Sequence, residues 1–277
     1  STACVKANYI TESVLKLNSY GFDHIELSGG TKYHKNIEND LVELKEKYSL
    51  KFLCHNYFPP PEEPFVINLA STDTTIFNKS ISNIKKALSL SKNLDSGKFG
   101  FHAGFYFNPN INQLGLGITK NELENKNTSL DQFIKAYNEL SSYESKVELY
   151  IENNVLSAEN FKNFECNPFM LTNSNEYNIL KTTIDFKLLL DVAHLKVTCQ
   201  TLGLNFKEEL NTLIKITDYI HISDNAGYAD TNNFLKKDSE LFNLLAEHNF
   251  KDKTITLEIY DDIEKIISSY ELLKTIM

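Results

Sequence analysis

The chain has 277 residues and a formal net charge of −9, from 37 Asp+Glu against 28 Lys+Arg, with 42% hydrophobic and 23% charged residues. Every basic residue is lysine, so no guanidinium fork is present to grip a phosphate or a carboxylate, and the acidic balance argues against duplex nucleic acid as a partner. No apolar run approaches the roughly 18–20 residues of a membrane span, and Cys4, Cys54, Cys166 and Cys199 form neither a CxxC pair nor a disulfide framework.

STACV (1–5) predicts a first strand, and a helix follows from about Thr11 with Glu12 in its first turn. HIELSGG (24–30) is a second strand ending in a glycine pair, and 40–48 is helical. KFLCHNY (51–57) is the third strand, stopped by Pro59, Pro60 and Pro61. A helix covers about 74–92, and KFGFHAG (98–104) is the fourth strand. The Asn-rich stretch NPNINQLGLG (108–117) is a candidate lid or rim excursion. Ser129 and Gln132 fit a capping box for the next helix. VELYIEN (147–153) and FKLLLDVAH (186–194) are strands five and six, and a helix spans about 206–217. DYIHISD (218–224) is strand seven, a helix spans about 237–248, and TITLEIY (254–260) is strand eight. Asp261 and Asp262 open the last helix, where its dipole favours negative charge.

No Pro/Gly/Ser-rich linker divides the chain, so 1–277 reads as a single domain. Alternating strands and helices imply a parallel sheet with right-handed crossovers. Eight such units predict a single (β/α)8 TIM barrel of the α/β class. An open doubly wound sheet is the runner-up, but its GxGxxG or GxxxxGKS phosphate turn is absent. The opening STACVKANYI lacks the regions of a signal peptide, and a cytoplasmic protein is the expectation.

His55, His102, Glu152, Asp191, His221 and Glu258 fall one per strand, each near the end of a short alternating apolar run. A strand has a period of two, so Ile220 and Ile222 face one layer while His221 faces the other, and Leu257 and Ile259 flank Glu258 in the same way. In a parallel barrel such strand ends converge on the C-terminal rim, where sites form. Glu152, Asp191, His221 and Glu258 are the predicted metal ligands. Three carboxylates and an imidazole suit one divalent ion, Mn2+, Mg2+ or Co2+, with Zn2+ also compatible. His55, His102 and His194 add nitrogen donors that serve either a second metal or the substrate. Glu26 reads as a supporting residue of the pocket floor, Glu148 as a partner of Lys187, and Cys54 as a core residue. Tyr57 and Phe58 read as a pocket wall, while His24, His34 and His248 read as structural or solvated. Asp224 and Asn225 either bind substrate hydroxyls or cap the turn after them.

The motifs IELSGG, HNYFPPP with INLAS, HAG, IENN, DVAH, HISDN and LEIY occur in this order over nearly the whole chain. In that respect the sequence resembles the xylose-isomerase-like barrel superfamily of sugar isomerases and epimerases, which also contains endonuclease IV. The resemblance to the ketose 3-epimerases implies that Glu152 and Glu258 are the catalytic acid–base pair as well as metal ligands. It implies that Asp191 and His221 complete the metal site and that His194 contacts a substrate hydroxyl. The resemblance to endonuclease IV covers His55, His102, Glu152, Asp191, His194, His221 and Glu258. Its Asp-x-His element is here Asp230–Thr231–Asn232, and NFLKKDSEL replaces the Gly-rich stretch that usually follows. Asp230 therefore stands as a further candidate ligand without its histidine. Near Ala158 and Gly227, where the ketose epimerases carry a substrate-binding Glu and Arg, the chain has no charge, so their substrate does not carry over.

The expected activity is a metal-dependent sugar or sugar-phosphate isomerisation or epimerisation through an enediolate, on a small carbohydrate. No nucleic-acid or membrane partner is expected, and a homo-oligomer is compatible with the sequence. A zinc-dependent phosphoester hydrolase, a cyclic-polyol dehydratase and a metal-holding binding protein are the alternatives.

Overall fold

The computed structural model describes residues 1–113, 118–119 and 122–277; part of the Asn-rich excursion, 114–117, lies outside the described residues. Seven strands form one parallel sheet in sequence order. They are β1 (His24–Leu27), β2 (Lys51–His55), β3 (Lys98–His102), β4 (Glu148–Glu152), β5 (Lys187–Asp191), β6 (Tyr219–Ile222) and β7 (Thr254–Leu257). Ten helices connect and flank them among the described residues: α1 (Ile10–Ser19), α2 (Ile37–Tyr48), α3 (Thr74–Asn93), α4 (Lys126–Tyr143), α5 (Ala158–Phe164), α6 (Ser174–Lys181), α7 (Val192–Leu202), α8 (Phe206–Leu213), α9 (Glu240–Leu245) and α10 (Ile263–Lys274). The sheet curls into a nearly closed barrel, as expected of the TIM-barrel class.

The expected first strand is not one. STACV holds only two β-branched residues, Thr2 and Val5, and Thr2–Cys4 instead forms a 3-10 turn capped by the Ser1 hydroxyl, which accepts from Ala3 N–H. The turn nevertheless occupies the eighth stave. The Thr2 hydroxyl accepts from Ser28 N–H at 2.8 Å, beside β1. On the other side the Cys4 thiol donates to Leu257 C=O and accepts from Ile259 N–H, both at 3.2 Å. A side-chain lattice thus stands where a backbone ladder between β1 and β7 would run.

The period-two reading of the strands holds. Outward residues, such as Phe52, Cys54, Phe99, Phe101, Leu149, Ile151, Leu188, Leu190, Ile220 and Ile222, join the helices in one large apolar layer. Inside, Tyr150, Leu189 and Tyr219, with Leu53, form a small separate core that fills the barrel. The Tyr150 and Tyr219 rings meet edge to face at 5.3 Å, a contact worth about 0.5–1.5 kcal/mol beyond area burial. Gly100 lies at an inward position because a Cβ there would meet His55 Cδ2 at 3.0 Å. At the N-terminal end, Lys98 lies over both tyrosine rings and pairs with Asp218. Lys187 pairs with Glu148 at 2.6 Å, as the sequence suggested. These groups sit at the N-terminal end of the strands, opposite the C-terminal rim, where barrel sites form.

Helix starts depart from the sequence reading in instructive ways. Ser129 is not a cap: α4 begins a turn earlier on Asn125, whose side chain accepts from Asn127 and Thr128 N–H. The sixth expected strand ends at Asp191, and the residues after it turn straight into α7 with Asp191 as N-cap. The helix expected over 237–248 is the shorter α9, capped by Ser239. No helix among the described residues is long and apolar enough to cross a membrane.

Candidate metal centre

Glu152, at the end of β4, is fully buried and lies among four imidazoles. Its Oε2 is 2.8 Å from His55 Nε2 at the end of β2 and 3.1 Å from His102 Nδ1 at the end of β3. Its Oε1 is 3.2 Å from His221 Nδ1 on β6 and 4.0 Å from His194 Nδ1 at the start of α7. Glu258, just past β7, brings its Oε2 to 3.5 Å from the same His221 Nδ1. Asp191 completes a group with Glu152, His221 and Glu258 whose donor atoms all lie within 4.8 Å of one another. His55, His102 and Glu152 form a second such group that shares Glu152.

Residues missed or underweighted by the sequence reading hold this arrangement in place. Asn153, next to Glu152, donates to Asp191 C=O at 3.0 Å and accepts from Asp191 N–H at 2.8 Å, locking β4 to β5 at the site. Its carbonyl oxygen lies 2.8 Å from His194 Nδ1. That contact, with the cap from Asp191 Oδ1 to His194 N–H at 2.8 Å, fixes the His194 ring. Asn154 donates to the carbonyls of Ala103 and Met170, and Asn68 bonds the backbone at Phe105 and Phe107, so the loops above β3 and β4 are stapled together. These asparagines stood in the quoted IENN and INLAS motifs, but only their motif membership was visible.

Asp230 sits at the edge of the cluster, its Oδ2 3.3 Å from His194 Nε2. Asn232 accepts from the Ser223 hydroxyl at 3.0 Å and donates its amide N–H to Asp230 Oδ2 at 3.2 Å. Asp224 is not part of the group: its Oδ1 accepts from Lys196 Nζ at 2.7 Å and from Asn225 N–H at 2.8 Å, so its role is the turn cap. His24 is exposed beside Asp23, and His34 packs edge-on against Tyr9.

The donor set fits a cation on geometry. Glu152 Oε1, His221 Nδ1, His102 Nδ1 and Asp230 Oδ1 are buried and have no hydrogen-bond partner. His221 Nδ1 and Glu152 Oε1 approach to 3.2 Å without the alignment of a hydrogen bond. A buried polar group without a partner costs about 1–3 kcal/mol, and two of these belong to the four-residue group. Ligand oxygens and nitrogens lie about 2.0–2.6 Å from a divalent ion, so donors on opposite sides of one ion are separated by distances of the order found here.

The electrostatics follow from the packing. Burial works against charge on Glu152, but His102, His55 and His221 outweigh it and hold the carboxyl well below its ordinary range. Burial likewise opposes charge on His221, yet Glu26, Glu258 and Glu152 lift it well above 6.5. His55 is raised against burial by Glu152, and His194 against burial by Asp191 and Asp230. Burial drives His102 down to about 4, with His55 and His194 adding to the effect and Glu152 opposing it. Burial pushes Asp191 up to about 7, with Asp230 and Glu152 adding to the effect and His194 opposing it. Perturbed groups gathered at a barrel rim make this cluster a functional-site candidate on physical grounds.

The chain matches the xylose isomerase-like TIM barrel family over residues 14–276 and belongs to that family. A D-tagatose 3-epimerase-like protein shares the fold with a TM-score of 0.74 at 19% identity, over 99% of this chain and 94% of that one. D-psicose 3-epimerase from Clostridium cellulolyticum superposes with a TM-score of 0.64 at 13% identity, covering 98% and 94%. Endonuclease IV from Thermus thermophilus does so with a TM-score of 0.61 at 13% identity, covering 98% and 95%. No curated protein matches the chain.

Proposed function

We propose that the chain is a divalent-metal-dependent isomerase or epimerase of a small carbohydrate, working as one catalytic domain over 1–277. The observation that carries this reading is the convergence of Glu152, Asp191, His221 and Glu258 with unpartnered Oε1 and Nδ1 atoms at its centre. Those four residues would hold the ion, Mn2+, Mg2+, Co2+ or Zn2+. When bound, such an ion supplies charge stabilisation at oxygens next to the reacting carbon, worth several kcal/mol in typical cases. Glu152 and Glu258 are the acid–base pair: their carboxyls reach the same His221 nitrogen from different strands, at 3.2 and 3.5 Å. One takes the proton from the carbon beside the substrate carbonyl and the other returns it, help worth roughly 10²–10⁴-fold. His194 and Asp230 stand at the cluster edge as substrate hydroxyl contacts. The fold neighbours whose names include tagatose and psicose epimerases make sugars the first substrates to try.

The test is solvent-deuterium uptake at the carbon next to the carbonyl, with a panel of ketoses and ketose phosphates and protein loaded with each metal. Glu258→Gln keeps the shape and one oxygen donor, so it should bind substrate and lose exchange, the pattern of an interaction used in the transition state. Exchange at the wild-type rate in Glu258→Gln removes the two-glutamate mechanism.

A second reading is favoured by one observation, the His55–His102–Glu152 group beside the first. Two ions sharing Glu152 would suit a zinc hydrolase of phosphoesters. Two equivalents of zinc per chain, with one lost in His102→Ala, would shift the assignment there. A cyclic-polyol dehydratase remains a variant of the first reading, distinguished by loss of water rather than exchange alone.

A further inference from the structure

The seam between β1 and β7 has no backbone ladder, and one carboxylate crosses it. Glu26 on β1 is buried, points into the barrel and gathers donors from both strands on the far side. Its Oε2 accepts from Thr256 Oγ1 on β7 at 2.9 Å, from the Tyr219 hydroxyl on β6, and from His221 Nε2 at 3.0 Å. Its Oε1 accepts from Ser28 Oγ at 3.4 Å. Although Glu26, His55, His221 and Glu258 have donor atoms that all lie within 4.8 Å of one another, three donors already occupy Glu26 Oε2 and Ser28 Oγ bonds its Oε1. It is therefore placed to hold a ligand rather than to be one.

We propose that Glu26 is the positioning residue of the centre: its one carboxylate oxygen both ties β1 to β6 and β7 across the unladdered seam and fixes the His221 ring with Nε2–H turned to Glu26 and Nδ1 turned to Glu152 and Glu258. An imidazole has two chemically similar faces, and what binds one nitrogen decides which is left for a metal. Here the same oxygen that sets this choice also sets the distance between β1 and β7, and Glu258 lies directly past β7. Closure of the barrel and the geometry of the site are thus coupled through one group. The inference rests on the reading that His221 and Glu258 belong to a cation site.

The experiment compares wild type, Glu26→Ala, Glu26→Gln, Thr256→Val and His221→Ala. Zn2+ affinity is measured by competition with a chromophoric chelator. The ring N–H signals of 15N-labelled histidine are read with and without Zn2+, the His221 signal being assigned by its absence in His221→Ala. A protected Nε2–H of His221 should be present in wild type and Thr256→Val and lost in Glu26→Ala. Zn2+ affinity should fall by about 10–100-fold in Glu26→Ala, as for loss of a partner that orients a ligand. Glu26→Gln, which keeps an acceptor oxygen, should recover part of it. Thr256→Val, which cuts only the tie to β7 and leaves the bond from Glu26 to His221, should lower Tm and weaken Zn2+ binding by less than Glu26→Ala does. Zn2+ affinity in Glu26→Ala within about 3-fold of wild type, while His221→Ala loses it, overturns the positioning role. Wild type that binds Zn2+ no better than His221→Ala instead overturns the cation reading; the ring signal of metal-free protein then decides on Glu26 alone, its survival in Glu26→Ala counting against the proposal and its loss for it.

Discussion

Metal-free protein at pH 7 keeps a proton on His221 that a cation must displace. Glu26, Glu258 and Glu152 lift this imidazole well above 6.5, and burial pushes Asp191 up to about 7. Zn2+ binding at pH 7 should therefore release about one proton from His221 and a fraction from Asp191, and affinity should fall as pH falls. Titration calorimetry in two buffers of different ionisation enthalpy reads this directly; a heat independent of buffer would contradict it. The same shifts predict the stability of the metal-free fold. A raised imidazole pKa contributes stability that is fully present below 6.5 and lost as pH rises through the folded value. Asp191, also raised, has the same sign, its contribution falling as pH rises from 3.8 to about 7, and His102, lowered to about 4, offsets it by losing stability as pH falls from 6.5 to about 4. The depressed Glu152 and Glu258 contribute above 4.5 and are lost as pH falls through their folded values. Metal-free Tm should thus be highest between about 4.5 and 6.5 and decline toward pH 9. At this scale the sequence was legible wherever period two applied: His55, His102, Glu152, Asp191, His221 and Glu258 each face the side their apolar neighbours do not. It was silent on pairings such as Glu26 with His221, separated by 195 residues, because nothing local encodes which inward groups meet.

Among the elements, seven of the eight expected strands form, since each is a short apolar run with a clear inward and outward face. STACV failed because two β-branched residues in five do not outweigh a serine that caps a turn. Helices α5 and α6, of 7 and 8 residues, escaped notice; with so few turns, their caps Ser157 and Asn173 carry the signal that periodicity lacks. Apolar residues after Asp191 make the start of α7 look like strand in the sequence, yet the Asp191 cap turns the chain there into helix. One element-level clamp follows from that turn. Lys196 on α7 donates to Asp224 Oδ1 and Asn225 C=O, both at 2.7 Å, and Asn225 donates back to Ala193 C=O at 3.0 Å. Asp224 in turn pairs through its backbone with Asn233, closing the loop that carries Asp230 to His194. Lys196→Met keeps the aliphatic stem and strands the Asp224 carboxylate. It should cost about 1.5–3 kcal/mol, the range for a hydrogen bond to a charged group, measured by urea unfolding. Zn2+ affinity should stay within a few-fold, since none of the four proposed ligands touches the clamp. An unfolding free energy within about 0.5 kcal/mol of wild type, the scatter of neutral surface changes, would show that the loop is held by other means.

At the level of the whole molecule, the same barrel serves both sugar epimerases and endonuclease IV, so fold alone does not choose between them. Charge does. A protein that binds duplex DNA neutralises phosphates with Lys and Arg, and its affinity falls with salt at a slope of about −0.9 per phosphate contacted. This chain carries −9 overall, has no arginine for bidentate phosphate or base contacts, and sets many of its lysines in ion pairs, among them Lys45 with Asp95, Lys85 with Glu139, Lys187 with Glu148 and Lys207 with Glu247. At the rim, Lys196 is engaged with Asp224. The Asp230–Thr231–Asn232 element ends in an amide that accepts from Ser223, where an imidazole ligand would be needed for a third ion. The expected outcome is that Zn2+-loaded protein neither retards a fluorescent duplex bearing an abasic-site analogue at physiological salt nor nicks it at enzyme-like rates. Lowering the salt should produce no steep rise in affinity, because few phosphate contacts are available to release counterions. Nicking that disappears in Glu152→Gln would show the site acting on phosphoesters despite its surroundings, and would transfer the assignment from the epimerases to the hydrolase reading.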